Sequence, residues 1–438
     1  MLDNIRDQLK VQKQRAVLVG AIIRGSEKEN DNLHELTSLT ETAGAIIVDR
    51  LQQKINEINP SIYIGRGKAA YIGKRAKEAN ASLVIFDNDL SPGQIKDLEN
   101  ILEKQVIDRS ELILDIFATR ARTKQARLQV ELAQLEYTYP RLTRMWSHLD
   151  TVTGAASGGI GAVGGIGTRG TGEKQLEIDR RLVNKRISEL KAELRKIEKR
   201  KDREIESRCE AFKICLVGYT NAGKSTFMNA VTDAGVVQEN KLFATLDTRT
   251  RRWKLECGAE ALLSDTVGFV RKLPHQLVES FKATLSEALS ADLLLHVVDV
   301  SSESVFEQIE SVNGVLEDIG CGGKDTLVLL NKSEIPVSVT TLDTLKAAFP
   351  DAISVSAKTG YNIDSAVHEI TRRITGKRRR VKVVYSVQKG RIQGFLKKYA
   401  DIEKTDIDQM NMVQQVLIGS KNLDKLRSLK PESIEELE

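Results

Sequence analysis

The chain has 438 residues, 41% of them hydrophobic, and a formal net charge of +5; that length suits about three domains, and so small a charge permits a nucleic-acid partner without arguing for one. The four cysteines, Cys209, Cys215, Cys257 and Cys321, lack C-x-x-C spacing and give no sign of a zinc site or disulfide framework. No run approaches a membrane span and the first eleven residues have no secretory or transit character, so a soluble, cytoplasmic protein is expected.

Along residues 15–106, apolar runs alternate with amphipathic stretches. Residues 17–23, 45–48 and 83–87 read as buried strands, and Leu33, Leu36 and Leu39 recur at helical spacing. Ser91-Pro92 opens a further helix with proline in its first turn. Alternating strands and helices predict a small parallel sheet covered by helices. Gly65-Arg66-Gly67-Lys68 could hold an anion, but without a fuller fingerprint a plain turn before a helix is the simpler reading.

Beyond Asp108 the texture changes. Residues 111–137 contain neither glycine nor proline, and Leu128, Leu132 and Leu135 share one helical face. Residues 154–172 are too glycine-rich to hold a fixed fold. After them Val183, Ile187, Leu190, Leu194 and Ile197 repeat at steps of four and three, an a/d seam that predicts an antiparallel partnership with the earlier helix. Such a hairpin would project the glycine segment as its tip. Tyr139, Arg141, Arg144, Trp146 and His148 interleave cations with aromatics before the tip, a pattern that suits RNA as well as a solvated linker.

The apolar run 212–217 leads into Gly218, Tyr219, Thr220, Asn221, Ala222, Gly223, Lys224 and Ser225, a G-x-x-x-x-G-K-S phosphate loop. Glycines let backbone N–H groups face phosphates, Lys224 neutralises β/γ charge, and Ser225 offers a hydroxyl to Mg²⁺. Phe243, Ala244, Thr245, Leu246 and Asp247 stand where a first switch belongs, with Thr245 able to complete the Mg²⁺ shell. Asp265, Thr266, Val267 and Gly268 end a strand; the Asp265 carboxylate can act on Mg²⁺ through water and the Gly268 N–H can meet the γ-phosphate. Asn331, Lys332, Ser333 and Glu334 take the base-reading position, and Ser356, Ala357 and Lys358 supply a loop against the base. Lys224, Thr245 and Gly268 are the candidate catalytic groups, and Ser225 and Thr245 the candidate metal ligands. Glu334 is one methylene longer than the usual Asp and should still favour guanine over adenine. Phe269 stands where many G domains place a water-orienting glutamine, so hydrolysis should be slow without a partner. A G domain that binds nucleotide without hydrolysing it is the alternative.

With these motifs together, the chain resembles the HflX family of ribosome-associated GTPases over residues 31–377. The resemblance also rests on residues 108–117, on 129–135, on Gly170-Thr171-Gly172-Glu173 and on 265–275. It implies an α/β protein with an N-terminal α/β domain (1–110), a long helical hairpin with a glycine-rich tip (111–208), a P-loop G domain (209–377) and a small C-terminal α/β domain (378–438). It implies GTP and GDP as substrate and product with Mg²⁺, binding to the large ribosomal subunit and its rRNA, ribosome-stimulated hydrolysis, and splitting of stalled ribosomes with the glycine loop near the peptidyl-transferase region. A nucleotide-switched assembly or storage factor, acting mainly as a binder, is the other reading; either would act as a monomer. Phe269 matches the family, whereas Glu334, Thr171 and Thr248-Arg249 depart from its usual Asp, Pro and Pro-Thr. In the tail, residues 381–387 and 412–418 predict strands and 390–399 a helix; Lys377-Arg378-Arg379-Arg380 before them could meet rRNA or be a solvated linker.

Overall fold

The computed structural model describes residues 13–24, 33–141, 169–206, 212–232, 243, 248–255, 260–271, 287–376, 378–408 and 410–437. Two compact units divide the chain. One holds residues 1–205 together with 240–247 and 272–283, and the other holds the remainder.

In the first unit a four-stranded parallel sheet has the order β2-β1-β3-β4, built from β1 (Arg15–Ile23), β2 (Ile46–Ile55), β3 (Leu83–Phe86) and β4 (Gln105–Asp108). β1 and β3 are buried on both faces, as parallel strands under helices must be, while β2 is an edge with alternate residues exposed. Helices α1 (His34–Ala43), α2 (Arg66–Glu78) and α3 (Pro92–Leu102) connect them. Ser91 and Gln94 close a full capping box on α3, with Pro92 pre-set for the first turn. Of Gly65 to Lys68, only Gly65 stands before α2, as its N-cap; Arg66, Gly67 and Lys68 are already its first turn, and the chain enters from Tyr63 with a left-handed φ of 62°.

The run 111–137 divides into two helices. α4 (Arg109–Arg120) ends where Ala121 turns extended, and α5 (Lys124–Thr138) restarts because the Thr123 hydroxyl accepts from the Ala126 N–H. α6 (Arg169–Glu206) follows. Leu128, Leu132 and Leu135 of α5 pack with Ile187, Leu190, Leu194 and Ile197 of α6. The pairs Lys124 with Glu193 and Arg186 with Glu131, and the bond from Asn184 to Tyr139, descend one helix as they ascend the other, so the two run antiparallel. Residues 154–168 of the glycine segment lie outside the described residues, and Gly170 and Gly172 sit in the opening turns of α6.

The start of α4 carries a buried charge cluster that the sequence pattern does not announce. Arg109, 1% exposed, binds Asp87 at 2.7 Å and Glu35 at 2.9 Å. Asp108 caps α4 through the Glu111 N–H and accepts from the Tyr137 hydroxyl at 2.7 Å. Burial pushes its carboxyl above the ordinary range despite these donors. Arg141 lies over the Tyr137 ring and donates to Leu90 O and Tyr137 O. That removes Arg141 from the surface expected to meet RNA; Arg144, Trp146 and His148 lie outside the described residues.

The second unit contains a six-stranded sheet of order β10-β9-β8-β5-β7-β6. Its strands are β5 (Phe212–Val217), β6 (Arg249–Lys254), β7 (Glu260–Asp265), β8 (Leu293–Asp299), β9 (Thr326–Asn331) and β10 (Ile353–Ser354). All pairs are parallel except β6 with β7. Helices α7 (Lys224–Val231), α8 (Val305–Asp318), α9 (Val339–Ala348) and α10 (Ile363–Thr375) complete the α/β arrangement. The chain leaves β5 with neighbours on both sides, β8 and β7, so its carboxyl end is a topological switch point, the usual ligand crevice of such sheets.

A second, antiparallel sheet in this unit has the order β12-β13-β11-β14: β11 (Arg378–Ser386), β12 (Ala400–Asp408), β13 (Asn411–Gly419) and β14 (Ser433–Leu437). With α11 (Gly390–Tyr399) and α12 (Ser420–Ser428) it forms a βαββαβ unit of ferredoxin-like order. Val381, Val383, Tyr385, Ile392, Leu396, Val416, Ile418 and Leu426 form its core. β12, α12 and β14 are additions to the elements expected from sequence.

Candidate functional site

The phosphate loop follows from its two glycines. Gly218 holds φ at 145° and a Cβ there would sit 2.3 Å from Val297 O; Gly223 holds φ at 97° and its Cβ would sit 2.2 Å from the Asn331 side-chain nitrogen. No other residue type fits either position without displacing backbone or the Asn331 amide. Lys224 begins α7 inside the loop, 6% exposed, and its ammonium donates to Gly218 O at 3.0 Å and Tyr219 O at 2.8 Å. Burial pulls its pKa down to about 8, opposed by the carboxylate of Asp265.

Asp265, fully buried at the end of β7, accepts from the Ser225 hydroxyl at 2.6 Å. A hydroxyl and a carboxylate side by side at the head of a phosphate loop are the hard oxygen donors Mg²⁺ takes, in a site finished by phosphate oxygens and water. The residues present therefore fit Mg²⁺. Thr245, the other candidate ligand, lies outside the described residues with Ala244, Leu246 and Asp247. Phe243 is described: it is 2% exposed and its ring meets Phe117 of α4 edge-on at 4.6 Å, within the first unit.

Gly268 and Phe269 pass close against the phosphate loop. The Thr220 N–H donates to Phe269 O at 2.8 Å, and the Phe269 N–H donates to Gly218 O at 3.2 Å. Tyr219 and Phe269 thus form a parallel bridge, with the Tyr219 hydroxyl accepting from the Arg271 N–H. A Cβ on Gly268 would meet Thr220 Cα at 2.8 Å and the Lys224 ammonium at 3.0 Å, so only glycine permits this approach. The Phe269 ring is 2% exposed. Thr266 turns its hydroxyl inward to Leu216 O at 2.6 Å, and Val267 is buried.

Asn331 ties the remaining loops to this one. Its amide nitrogen donates to Ala222 O at 2.8 Å, and its amide oxygen accepts from the Ala357 N–H at 2.9 Å. Lys332 is held by Asp299 at 2.6 Å, and the Ser333 hydroxyl donates to Val355 O. Ser356 is fully buried and accepts from the Thr359 N–H; Lys358 and Glu334 are exposed. The structure brings together the residues expected at positions 218–225, 265–268, 331–333 and 356–357. Two members of the site were missed from sequence. Asp299 positions Lys332, and an acid ending an apolar strand was the signal available for it. His296 of β8, 2% exposed, is driven to a pKa of about 4, first by burial and then by Lys224; within an apolar run it gives no signal.

Comparison with known proteins agrees with this geometry. Residues 30–118 match the family model of a GTP-binding GTPase N-terminal region, 120–208 that of a GTP-binding GTPase middle region, and 213–332 that of a 50S ribosome-binding GTPase. The chain is 41% identical over 394 residues to the GTPase HflX of Escherichia coli K12, covering 89% of this chain and 90% of that protein. It is 39% identical over 405 residues to the GTPase HflX of Lacrimispora saccharolytica, covering 92% and 93%. A phosphate loop, a buried carboxylate beside its serine and relatives matched over nine-tenths of their length lead to one conclusion: the chain belongs to the HflX family of GTPases.

Proposed function

We propose that this GTPase is a factor that binds the large ribosomal subunit and, driven by GTP, splits stalled ribosomes. Residues 218–225, 265–268, 331–334 and 356–358 hold the nucleotide, with Ser225 and Thr245 as Mg²⁺ ligands. Bound Mg²⁺ supplies charge that neutralises the β- and γ-phosphate oxygens. Lys224 adds a second cation from the loop itself, and the Gly268 N–H meets the γ-phosphate.

The observation that carries the reading is the bridge between Tyr219 and Phe269. It draws the start of the second switch onto the phosphate loop and leaves an apolar, buried ring at the position where a side chain would otherwise orient water. Hydrolysis by this chain alone is then slow, and a partner must supply the missing positioning. The antiparallel α5 and α6 support a helical hairpin as the arm that reaches the ribosome. We divide the chain accordingly into residues 1–110, 111–208, 209–377 and 378–438, acting as a monomer in the cytoplasm.

Ribosomes are expected to accelerate phosphate release by about a thousandfold or more, the range activators acting in trans supply. Binding to large subunits should be tighter with a non-hydrolysable GTP analogue than with GDP. Both effects absent would sink the proposal. Sucrose gradients of intact ribosomes with protein and GTP separate splitting from mere binding: free subunits are the expected product, and intact ribosomes carrying the protein would favour a binder.

Base choice gives a separate expectation. The exposed Glu334 carboxylate can accept from the N1 and N2 donors of guanine, whereas adenine presents a lone pair there. GTP and GDP should out-compete ATP by roughly a hundredfold or more, and Glu334→Ala should remove most of that preference. Competition by ATP as effective as that by GTP would defeat the base-reading role.

A further inference from the structure

Three described cations at the start of the C-terminal sheet have carboxylate partners within that sheet. Arg379 pairs with Glu436 of β14, Arg380 with Glu403 of β12, and Lys382 faces Glu435 of β14. These cations are poor candidates for an external anion, since each already has a carboxylate on another strand of the sheet.

The two helices of the domain are different. α11 carries Arg391, Lys397 and Lys398 and is preceded by Lys389; α12 carries Lys425 and Arg427 and is followed by Lys430. All seven are exposed, and the only acid in the sequence of either helix is Asp424. Asp424 and Glu436 approach Arg427. Among the described residues, Arg391, Lys397, Lys425 and Lys430 make no ion pair. The Lys389 ammonium donates to Lys430 O at 2.9 Å, which ties the start of α11 to the end of α12 and places cations at both ends of an antiparallel pair.

Two glycines lie among these cations. Gly390 and Gly394 share the outward face of α11 with Arg391 and Lys398, and a Cβ at either would meet nothing within 4 Å. Gly394, inside the helix, costs about 1 kcal/mol of helix stability against alanine, and neither glycine has a left-handed φ to justify it. Bare backbone between cations suits close approach by another chain. The residues seven apart, Arg391 and Lys398, are separated by roughly 10 Å along the helix axis, a spacing that suits successive contacts on a phosphodiester backbone.

We propose that this two-helix face docks on the backbone of double-helical RNA in the large ribosomal subunit. The proposal rests on the ribosome-binding reading above. Duplex is favoured over single strands by what the domain lacks. Phe395 packs on the core and against Tyr399, whose ring also meets the Lys398 ammonium, and the outward positions of the central strands β11 and β13 are Lys382, Val384, Val413 and Gln415 rather than aromatics. Neither face offers a platform for unstacked bases, so recognition rests on shape and phosphate charge.

The test compares the full chain with the variant R391Q/K397Q/K425Q/K430Q, using a non-hydrolysable GTP analogue, large subunits and, separately, an RNA duplex of about 16 base pairs. GDP affinity serves as the control for folding. The parent should bind both targets, and the variant should show a slope of log K against log salt shallower by about 3, at somewhat under one per lost phosphate contact. Gly394→Leu, with every charge retained, should raise thermal stability and weaken both interactions. Equal affinities and slopes for parent and variant would overturn the proposal. Loss of subunit binding by the variant, with no duplex binding by the parent, would assign the face to an acidic protein and overturn it as well. A parent that binds duplex but not subunits would defeat the ribosome reading while leaving the duplex-binding face standing.

Discussion

Gly223→Ala is expected to weaken GDP and GTP binding by roughly a hundredfold or more. The added methyl would sit 2.2 Å from the Asn331 amide nitrogen at a residue whose φ is 97°. Left-handed backbone costs a non-glycine residue about 1–2 kcal/mol. Moving Asn331 breaks its bonds to Ala222 O and the Ala357 N–H, and each buried group left unpaired costs about 1–3 kcal/mol. A total near 3 kcal/mol already corresponds to about a hundredfold in affinity. The loss has a local signature because Asn331 joins the phosphate loop to the 356–358 loop, so one methyl loosens contacts at both ends of the nucleotide. Titration with a fluorescent GDP analogue, alongside a thermal melt, measures it. Gly314→Ala, in α8 with open space around its Cβ, is the control and should stabilise by about 0.5–1 kcal/mol. Unchanged nucleotide affinity in Gly223→Ala would mean that the Asn331 bridge does not organise the site.

The contrast between these glycines also explains what could be read from the chain in advance. Gly218, Gly223 and Gly268 are required by close approaches, and such requirements recur at fixed spacing, which makes the phosphate loop visible as a pattern. Buried strands β5, β8 and β9 are visible for a related reason: residues hidden on both faces must be apolar in succession. The bridge between Tyr219 and Phe269 left no such trace, because main-chain groups make it and any side chains would serve. The break between α4 and α5 rests on the single hydroxyl of Thr123, in a run without glycine or proline. β12, with Asp401, Glu403, Lys404, Asp406 and Asp408, reads as polar coil because it is an exposed edge, and edges tolerate charge that interior strands cannot. Arg109 looks like a surface cation until Asp87 and Glu35 are folded against it. The edge-on contact of Phe117 with Phe243 joins residues 126 positions apart, and local periodicity has no means of expressing it.

Lys224→Ala is expected to lower GTP hydrolysis by about a thousandfold, the loss found when a charge-stabilising group is removed from a preorganised site. It should also abolish a pH dependence that the parent shows. Burial holds the ammonium at about 8 in the nucleotide-free chain, where its hydrogen bonds go to Gly218 O and Tyr219 O. Phosphate oxygens favour the charged form, so nucleotide binding raises this pKa. The sign follows by linkage: below about pH 8 the free chain already carries the proton and affinity is flat. Above it the free chain loses a proton that the complex keeps, so affinity falls by up to about tenfold per pH unit until the pKa of the complex is reached. Binding at about pH 8.5 should therefore take up protons, detectable as a calorimetric enthalpy that changes with the ionisation enthalpy of the buffer. In Lys224→Ala the residual affinity should be lower throughout and lack this falling limb. A parent affinity that stays flat through about pH 9.5 would show that Lys224 keeps its proton without nucleotide; the carbonyls of Gly218 and Tyr219 would then outweigh burial in setting the charge of the loop.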